Sequence, residues 1–279
     1  MTEAMIAGSR LALEPAADKA LAAAARLWFV AALIGQWVFF FYVLRFYGPS
    51  TATGHFEEWS RNRNLYTGYV AGDLAGNLFF ATHALLAGIV SLGGVVQLVP
   101  RIRARAIGFH RWNGRLFLVT AICVSLAGLY LVWIRGSVPN LIGGVAVSLN
   151  AALILFCVAF AWRTAWRRQI VQHRRWALRT YLMVSAPWFT RIGYFAWLIL
   201  AQGAGVGDNS DGPFDYFIGF ANYLVPLALL ELYLRTQDGA GPRGRLAMAA
   251  GLMLATIVMS IGIGGFYMLG ERPLLAKLP

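Results

Sequence analysis

The sequence predicts an all-α fold, a polytopic membrane bundle of about seven transmembrane helices, and three observations carry that prediction. Charged residues make up 13% of the 279 residues and hydrophobic residues 59%, with a mean hydropathy of +0.61. A soluble domain carries about a quarter charged residues, so lipid is the main solvent of this chain. Apolar runs long enough to cross the bilayer recur near 27–47, 74–99, 116–134, 141–162, 176–201, 215–234 and 246–269, against a need of about 20 residues rising 1.5 Å each. They are too long and continuous for the alternating strands of a barrel. The basic residues, which give a net charge of +12, gather in short segments between these runs. That is the pattern of membrane topology, and it argues against nucleic-acid binding.

Taken in order, residues 1–26 read as a cytoplasmic N-terminal segment. With Glu14, Asp18 and Lys19 they lack the basic start, apolar core and cleavage site of a signal peptide, and are expected to stay on the mature protein. Residues 27–269 form one transmembrane domain. The segment 48–73 follows the first helix on the outer side. Its Arg61 and Arg63 are partly offset by Glu57, Glu58 and Asp73, which predicts a short amphipathic helix on the membrane surface. The loop after the second helix carries Arg101, Arg103, Arg105, Arg111 and Arg115. The loop after the fourth carries Arg163, Arg167, Arg168, Arg174 and Arg175, and the loop after the sixth adds Arg235, Arg243 and Arg245. The loop at 202–214 holds Asp208 and Asp211 and no basic residue. Positive charge is retained on the cytoplasmic side, so the N-terminus is predicted inside and the tail 270–279 outside.

Three of the four histidines fall in or at the ends of helices, where polar side chains are costly. His110-Arg111-Trp112 opens the third helix and His173-Arg174-Arg175-Trp176 opens the fifth, an internal echo that places both imidazoles at one depth. Two readings stand open. Facing imidazoles at one level suit the axial ligands of a b-type haem, with arginines for its propionates. The same motif also serves as an interfacial anchor of Trp and Arg.

His83 lies about 27 Å from Arg101 along the second helix, and Arg191 about 24 Å from Arg175 along the fifth. Both counts end in the outer half of the membrane. An arginine at that depth costs about 2.5–3.5 kcal/mol on insertion scales, so it is expected to face the interior. There Asn77, Asn150 or a bound anion could complete its donors, with His83 in a shared polar site. Snorkelling, or bonding to a carbonyl freed by Pro187, is the other reading.

Gln36, Asn150 and Asn222 read first as interhelical glue, and Gly88, Gly93, Gly94, Gly143 and Gly144 as packing positions. His55 reads as solvated. Cys123 and Cys157 sit inside apolar runs and read as small hydrophobes. No paired carboxylates lie in the membrane, and no phosphate-binding loop, dinucleotide fingerprint or zinc-protease motif is present. Hydrolytic and nucleotide-driven mechanisms are disfavoured.

Four stretches then fall into a familiar order: His83 with the run Gly88 to Gln97; His110-Arg111-Trp112-Asn113-Gly114-Arg115; His173-Arg174-Arg175-Trp176 with Arg179; and Arg191. Over 74–201 this resembles a bacterial family of predicted membrane proteins, domain of unknown function 2306. Ala177 stands where the pattern expects methionine. The resemblance implies a multi-pass protein and supplies no reaction.

Three functions follow as expectations: a redox protein of the bacterial inner membrane holding haem b between His110 and His173, with His83 and Arg191 forming an outer site; a non-enzymatic accessory or assembly subunit of a larger membrane complex; and a small-molecule transporter. The bilayer is the certain partner, and a redox partner or membrane complex the expected one. Three intramembrane histidines fall short of the four that two haems ordinarily take.

Overall fold

A computed structural model describes residues 2–62, 68–271 and 273, and among them every regular element is helical. In chain order these are α1 (Thr2–Thr53), a 3₁₀ turn (Phe56–Arg61), α2 (Leu74–Leu98), α3 (Pro100–Arg105), α4 (Ile107–Trp133) and α5 (Leu141–Trp166). They are followed by α6 (Ile170–Val184), α7 (Ala186–Ala201), α8 (Pro213–Gly239) and α9 (Pro242–Gly265), which ends in a π turn (Phe266–Glu271). Six helices, those numbered 1, 2, 4, 5, 8 and 9, are long and apolar enough to span a bilayer. The seventh crossing is made by α6 and α7 in series, each only about 23–24 Å long at 1.5 Å per residue.

Local chemistry sets the boundaries. The carboxylate of Asp73 accepts the Gly76 N–H at 2.9 Å, and the amide oxygen of Asn140 accepts the Gly143 N–H at 2.8 Å. These caps satisfy orphan donors and start α2 and α5 where the sequence predicts. Two predicted starts move. α4 begins at Ile107 rather than 116, because the His110–Arg115 stretch is itself helical. α1 runs through the segment assigned to 1–26, with Leu21 and Ala24 packed on Met248, Ala249 and Leu252 of α9.

The predicted helix 176–201 is two helices meeting at Ser185. Proline has no N–H and its ring crowds the preceding turn, so Pro187 cannot continue the ladder. The chain turns instead on Ser185, whose carbonyl accepts from both Trp188 and Phe189 at 3.0 Å. Every residue from Thr180 to Ala186 is buried, so the break sits in the middle of the bundle with the other helices around it.

The arginine-rich end of the bundle is tied by ion pairs. Arg179 grips Glu231 of α8 in a fork at 2.6 and 3.0 Å, Arg175 pairs with Asp238, and Arg245 of α9 reaches Asp18 of α1 at 2.7 Å. At the opposite end the segment after α1 differs from the predicted surface helix. It is a 3₁₀ turn, in which residues three apart eclipse, so Phe56 and Trp59 point inward together and both are buried. The Trp59 indole donates to Ser50 Oγ at 2.7 Å, and the Asn62 amide donates to Tyr42 Oη at 3.1 Å. Arg63, and most of the predicted tail 270–279, lie outside the described residues.

Gly94 marks the tightest crossing at the arginine-rich half, where a Cβ would come within 2.8 Å of both Phe117 and Tyr181. Gly94→Leu is expected to force α2 away from α4 and α6 and to cost about 1–3 kcal/mol. Thermal unfolding in detergent should show it as a lowered midpoint, whereas Gly251→Leu, where a Cβ meets open space, should leave the midpoint unchanged.

Candidate functional site

At the arginine-rich end, α5 closes with Arg168 at φ 56°, in the left-handed region. The Gln169 N–H returns to Thr164 O at 2.9 Å and the Arg168 N–H to Ala165 O at 3.0 Å. This is the two-bond C-terminal motif that usually places glycine where Arg168 stands. The turn folds α6 tightly back on α5 and sets the His173 ring beneath Ala161, with Nδ1 at 2.9 Å from the Ala161 carbonyl oxygen. A carbonyl only accepts, so Nδ1 carries a proton, and in the neutral tautomer so fixed the lone pair is on Nε2.

His110 reaches the same level from the start of α4. Arg103, His173 and Arg111 act electrostatically on His110. The backbone carbonyl of His110 accepts from Gln97 at 2.9 Å, and Asn113 donates to Gly93 O at 3.0 Å. Both bonds pin the entrance of α4 to α2. The Nδ1 atom of His110 is buried and has no hydrogen-bond partner.

The two tryptophans of the echoed motif behave differently. Trp112 is 71% exposed beside Arg115, as an interfacial anchor should be. Trp176 turns inward, stacked on Phe160 at 4.8 Å and covered by the Arg179 guanidinium at 4.6 Å.

His83 and Arg191 have separate neighbours. The His83 ring lies against α4, near the backbone of Val124. A Cβ on Gly128 would make ordinary van der Waals contact with its Cε1 at 3.5 Å. Its Nδ1 has no partner. Arg191 instead lies over Phe39 of α1 at 5.0 Å, donates to Pro187 O at 2.8 Å, and acts electrostatically on Tyr42 and Tyr47. Between these residues and the histidine pair, the break at Ser185 holds a small polar cluster. Gln36 donates to Ser185 Oγ at 3.1 Å, and Ser185 donates to Tyr181 O at 2.8 Å. The Gln36 Oε1, Tyr181 Oη and Trp188 Nε1 atoms are buried without partners. Asn222 bonds Thr190 at 2.6 Å, tying α8 to α7.

Asn77, weighed as an acceptor for Arg191, is engaged elsewhere. Its amide donates to Val70 O at 2.8 Å, and its carbonyl accepts from Val70 N and from Arg135. Arg135, which sequence reasoning passed over, is nearly buried. It donates to Gly76 O at 2.6 Å, lies 3.6 Å from the Asp73 carboxylate and covers the Phe80 ring. The signal was available: a lone arginine directly after an apolar run, at the same end as Asp73. A second missed clamp is Asp215, which accepts from Tyr194 and from the Gly207 and Gly212 N–H groups at 2.8 and 2.9 Å.

Among the described residues no three His, Cys, Asp or Glu side chains gather as a metal-binding group. What the arginine-rich end offers is two imidazoles, the number a haem iron takes axially.

Residues 80–209 match the model of a family described as predicted membrane protein (DUF2306). The DUF2306 match runs from α2 to the loop after α7 and contains His83, His110, His173 and Arg191, in agreement with the resemblance read from the motifs. It leaves α1, α8 and α9 outside. No curated protein and no solved structure matches the chain.

Arg135→Ala is expected to destabilise the bundle by about 1–3 kcal/mol, because it removes two charge-assisted hydrogen bonds, to Gly76 O and Asn77 Oδ1, together with the Asp73 pairing. Arg101→Ala, at an exposed site, should be silent in the same thermal unfolding measurement.

Proposed function

We propose that the chain is a redox protein of the bacterial inner membrane, in which His110 and His173 hold one b-type haem at the cytoplasmic boundary. The observation that supports this reading is that two histidines stand near the starts of separate helices, α4 and α6, at the arginine-rich end, with His173 acting electrostatically on His110. Their states support it. The Ala161 carbonyl fixes the tautomer of His173 and leaves Nε2 as a ligand atom, the outer-shell arrangement typical of metal-bound histidine. The orphaned Nδ1 of His110 is a buried lone pair or proton in want of a partner. Arg103 and Arg111 supply positive charge for the propionates. When bound, the haem would supply one-electron chemistry. The residues of the chain orient its ligands, set its charge environment and, through Phe160 and Trp176, exclude water from one side.

The orientation belongs to the same proposal: arginine-rich end in the cytoplasm, N-terminus inside and C-terminus outside. A periplasm-dependent reporter fused after Pro279 should be active, and the same reporter placed after Gly239 should be silent. The reverse pattern defeats the orientation.

For the haem, purified protein is expected to show a reducible b-type absorption spectrum. His110→Ala and His173→Ala should each abolish it, and His55→Ala should leave it intact. Wild-type protein that stays colourless when expressed with haem supplied removes this reading. A transporter is the second reading, favoured by the helix interrupted at Ser185 and the unpartnered atoms of Gln36, Tyr181 and Trp188 beside it, since half-helix ends at mid-membrane are where transporters bind substrate.

A further inference from the structure

The elbow formed by α3 and the first turns of α4 has no cover within the chain. No residue of α3 is buried, and Arg101, Arg105, Arg111 and Arg115 are all exposed. No ion pair is made by these arginines among the described residues, whereas Arg175, Arg179 and Arg245 at the same end each have a carboxylate. The arginines of the elbow divide by direction. Arg103 and Arg111 act on His110. Arg101 and Arg105, four residues apart, share one face of α3, and Arg115 lies with its guanidinium 5.5 Å from the exposed Trp112 ring.

An apolar stripe leads directly to this second group. Along α4, Phe109, Trp112, Leu116, Val119, Cys123 and Leu126 are exposed and recur every three or four residues, which is one face of a helix. The opposite face, with Phe117, Ala121 and Val124, is buried in the bundle. The stripe therefore faces acyl chains along its length, and its arginine-bearing end stands at headgroup level. Trp112 marks that level, being the amphipathic residue that prefers it.

We propose that this elbow is a binding site for an anionic phospholipid, with Arg101, Arg105 and Arg115 on the phosphate and the α4 stripe along an acyl chain. Charge complementarity selects the occupant. Three unpaired guanidiniums present planar donor forks suited to phosphate oxygens, and exposed arginines at the end of a lipid-facing helix stand where lipid phosphates are concentrated. The proposal depends neither on haem nor on which way the bundle is inserted.

The test uses the full-length protein in vesicles of phosphatidylcholine containing a trace of spin-labelled phosphatidylglycerol or spin-labelled phosphatidylcholine. The motionally restricted fraction of each lipid is read by electron spin resonance. Wild type is expected to restrict phosphatidylglycerol several-fold more than phosphatidylcholine. The Arg101→Gln, Arg105→Gln, Arg115→Gln triple variant should lose that preference, and the matching triple lysine variant should keep most of it, which separates lost binding from lost fold. Arg163→Gln, Arg167→Gln, Arg243→Gln removes as much charge from the same end and should retain the preference. A wild type without preference, or an elbow variant that keeps it, overturns the site. So does a control triple that loses the preference equally. Loss of preference in about 10 mM inorganic phosphate, at ionic strength matched with chloride, would assign the site to free phosphate instead of lipid.

Discussion

The architecture depends on one constraint: a helix that breaks within a membrane must find partners in the protein for its interrupted backbone, even though Pro187 itself is exposed. In hydrocarbon an unpaired backbone group costs several kcal/mol, and Pro187 withholds an N–H from Met183 O, which the Ser185 N–H reaches instead. The chain answers by surrounding residues 180–186 completely and by placing Gln36 of α1 against Ser185. The arrangement of the other helices follows. Arg179 and Arg175 join α6 to α8 below the break, Asn222 joins α8 to α7 above it, and α9 packs along both α1 and α7.

The same constraint sorts the charges. An arginine near lipid is tolerated where donors find acceptors, and the chain meets that condition in three ways. Arg179 has a carboxylate fork. Arg135 has a carboxylate, two oxygens of α2 and an aromatic face, and is accordingly nearly buried. Arg191 has a carbonyl of its own helix and the Phe39 ring, fewer acceptors for its five donors, and it remains half-buried. Extent of burial thus follows the number of partners, which is what desolvation energetics require.

The sequence made the spans legible because bilayer thickness imposes a length on every crossing. Caps were legible too, since Asp73 and Asn140 stand immediately before their helices. The break at Ser185 was not: Pro187 is visible, but a proline early in a buried helix produces a kink or a full interruption according to what packs around it. Nor was the inward turn of Phe56 and Trp59, because a six-residue segment satisfies an amphipathic pattern and a 3₁₀ pattern equally. Depth counting predicted one level for His110 and His173, and both stand near the start of a helix at the arginine-rich end, α4 and α6. The same counting gave His83 and Arg191 equal depths without revealing their helix faces, and the faces differ. Depth follows from residue number alone, whereas azimuth follows from packing against α1 and α4.

The echo between His110-Arg111-Trp112 and His173-Arg174-Arg175-Trp176 shows how far local similarity carries. Both copies open a helix at the arginine-rich end, yet they are reached differently, the first through the short helix α3 and the second through a tight turn at Arg168. The tight turn brings α6 against α5, so His173 finds a backbone carbonyl and Trp176 packs on Phe160. The longer connection holds α4 away from such a partner, so Trp112 stays at the surface and His110 Nδ1 stays unpaired. Like residues therefore reach one depth in unlike states: one imidazole fixed by a hydrogen bond and the other still able to accept or donate one. A pair in which both rings were fixed by carbonyls would be rigid. This pair has one ring held in register and one whose nitrogen is uncommitted; the connections set that difference, and the extra residue before Trp176 turns the second tryptophan to another face of its helix.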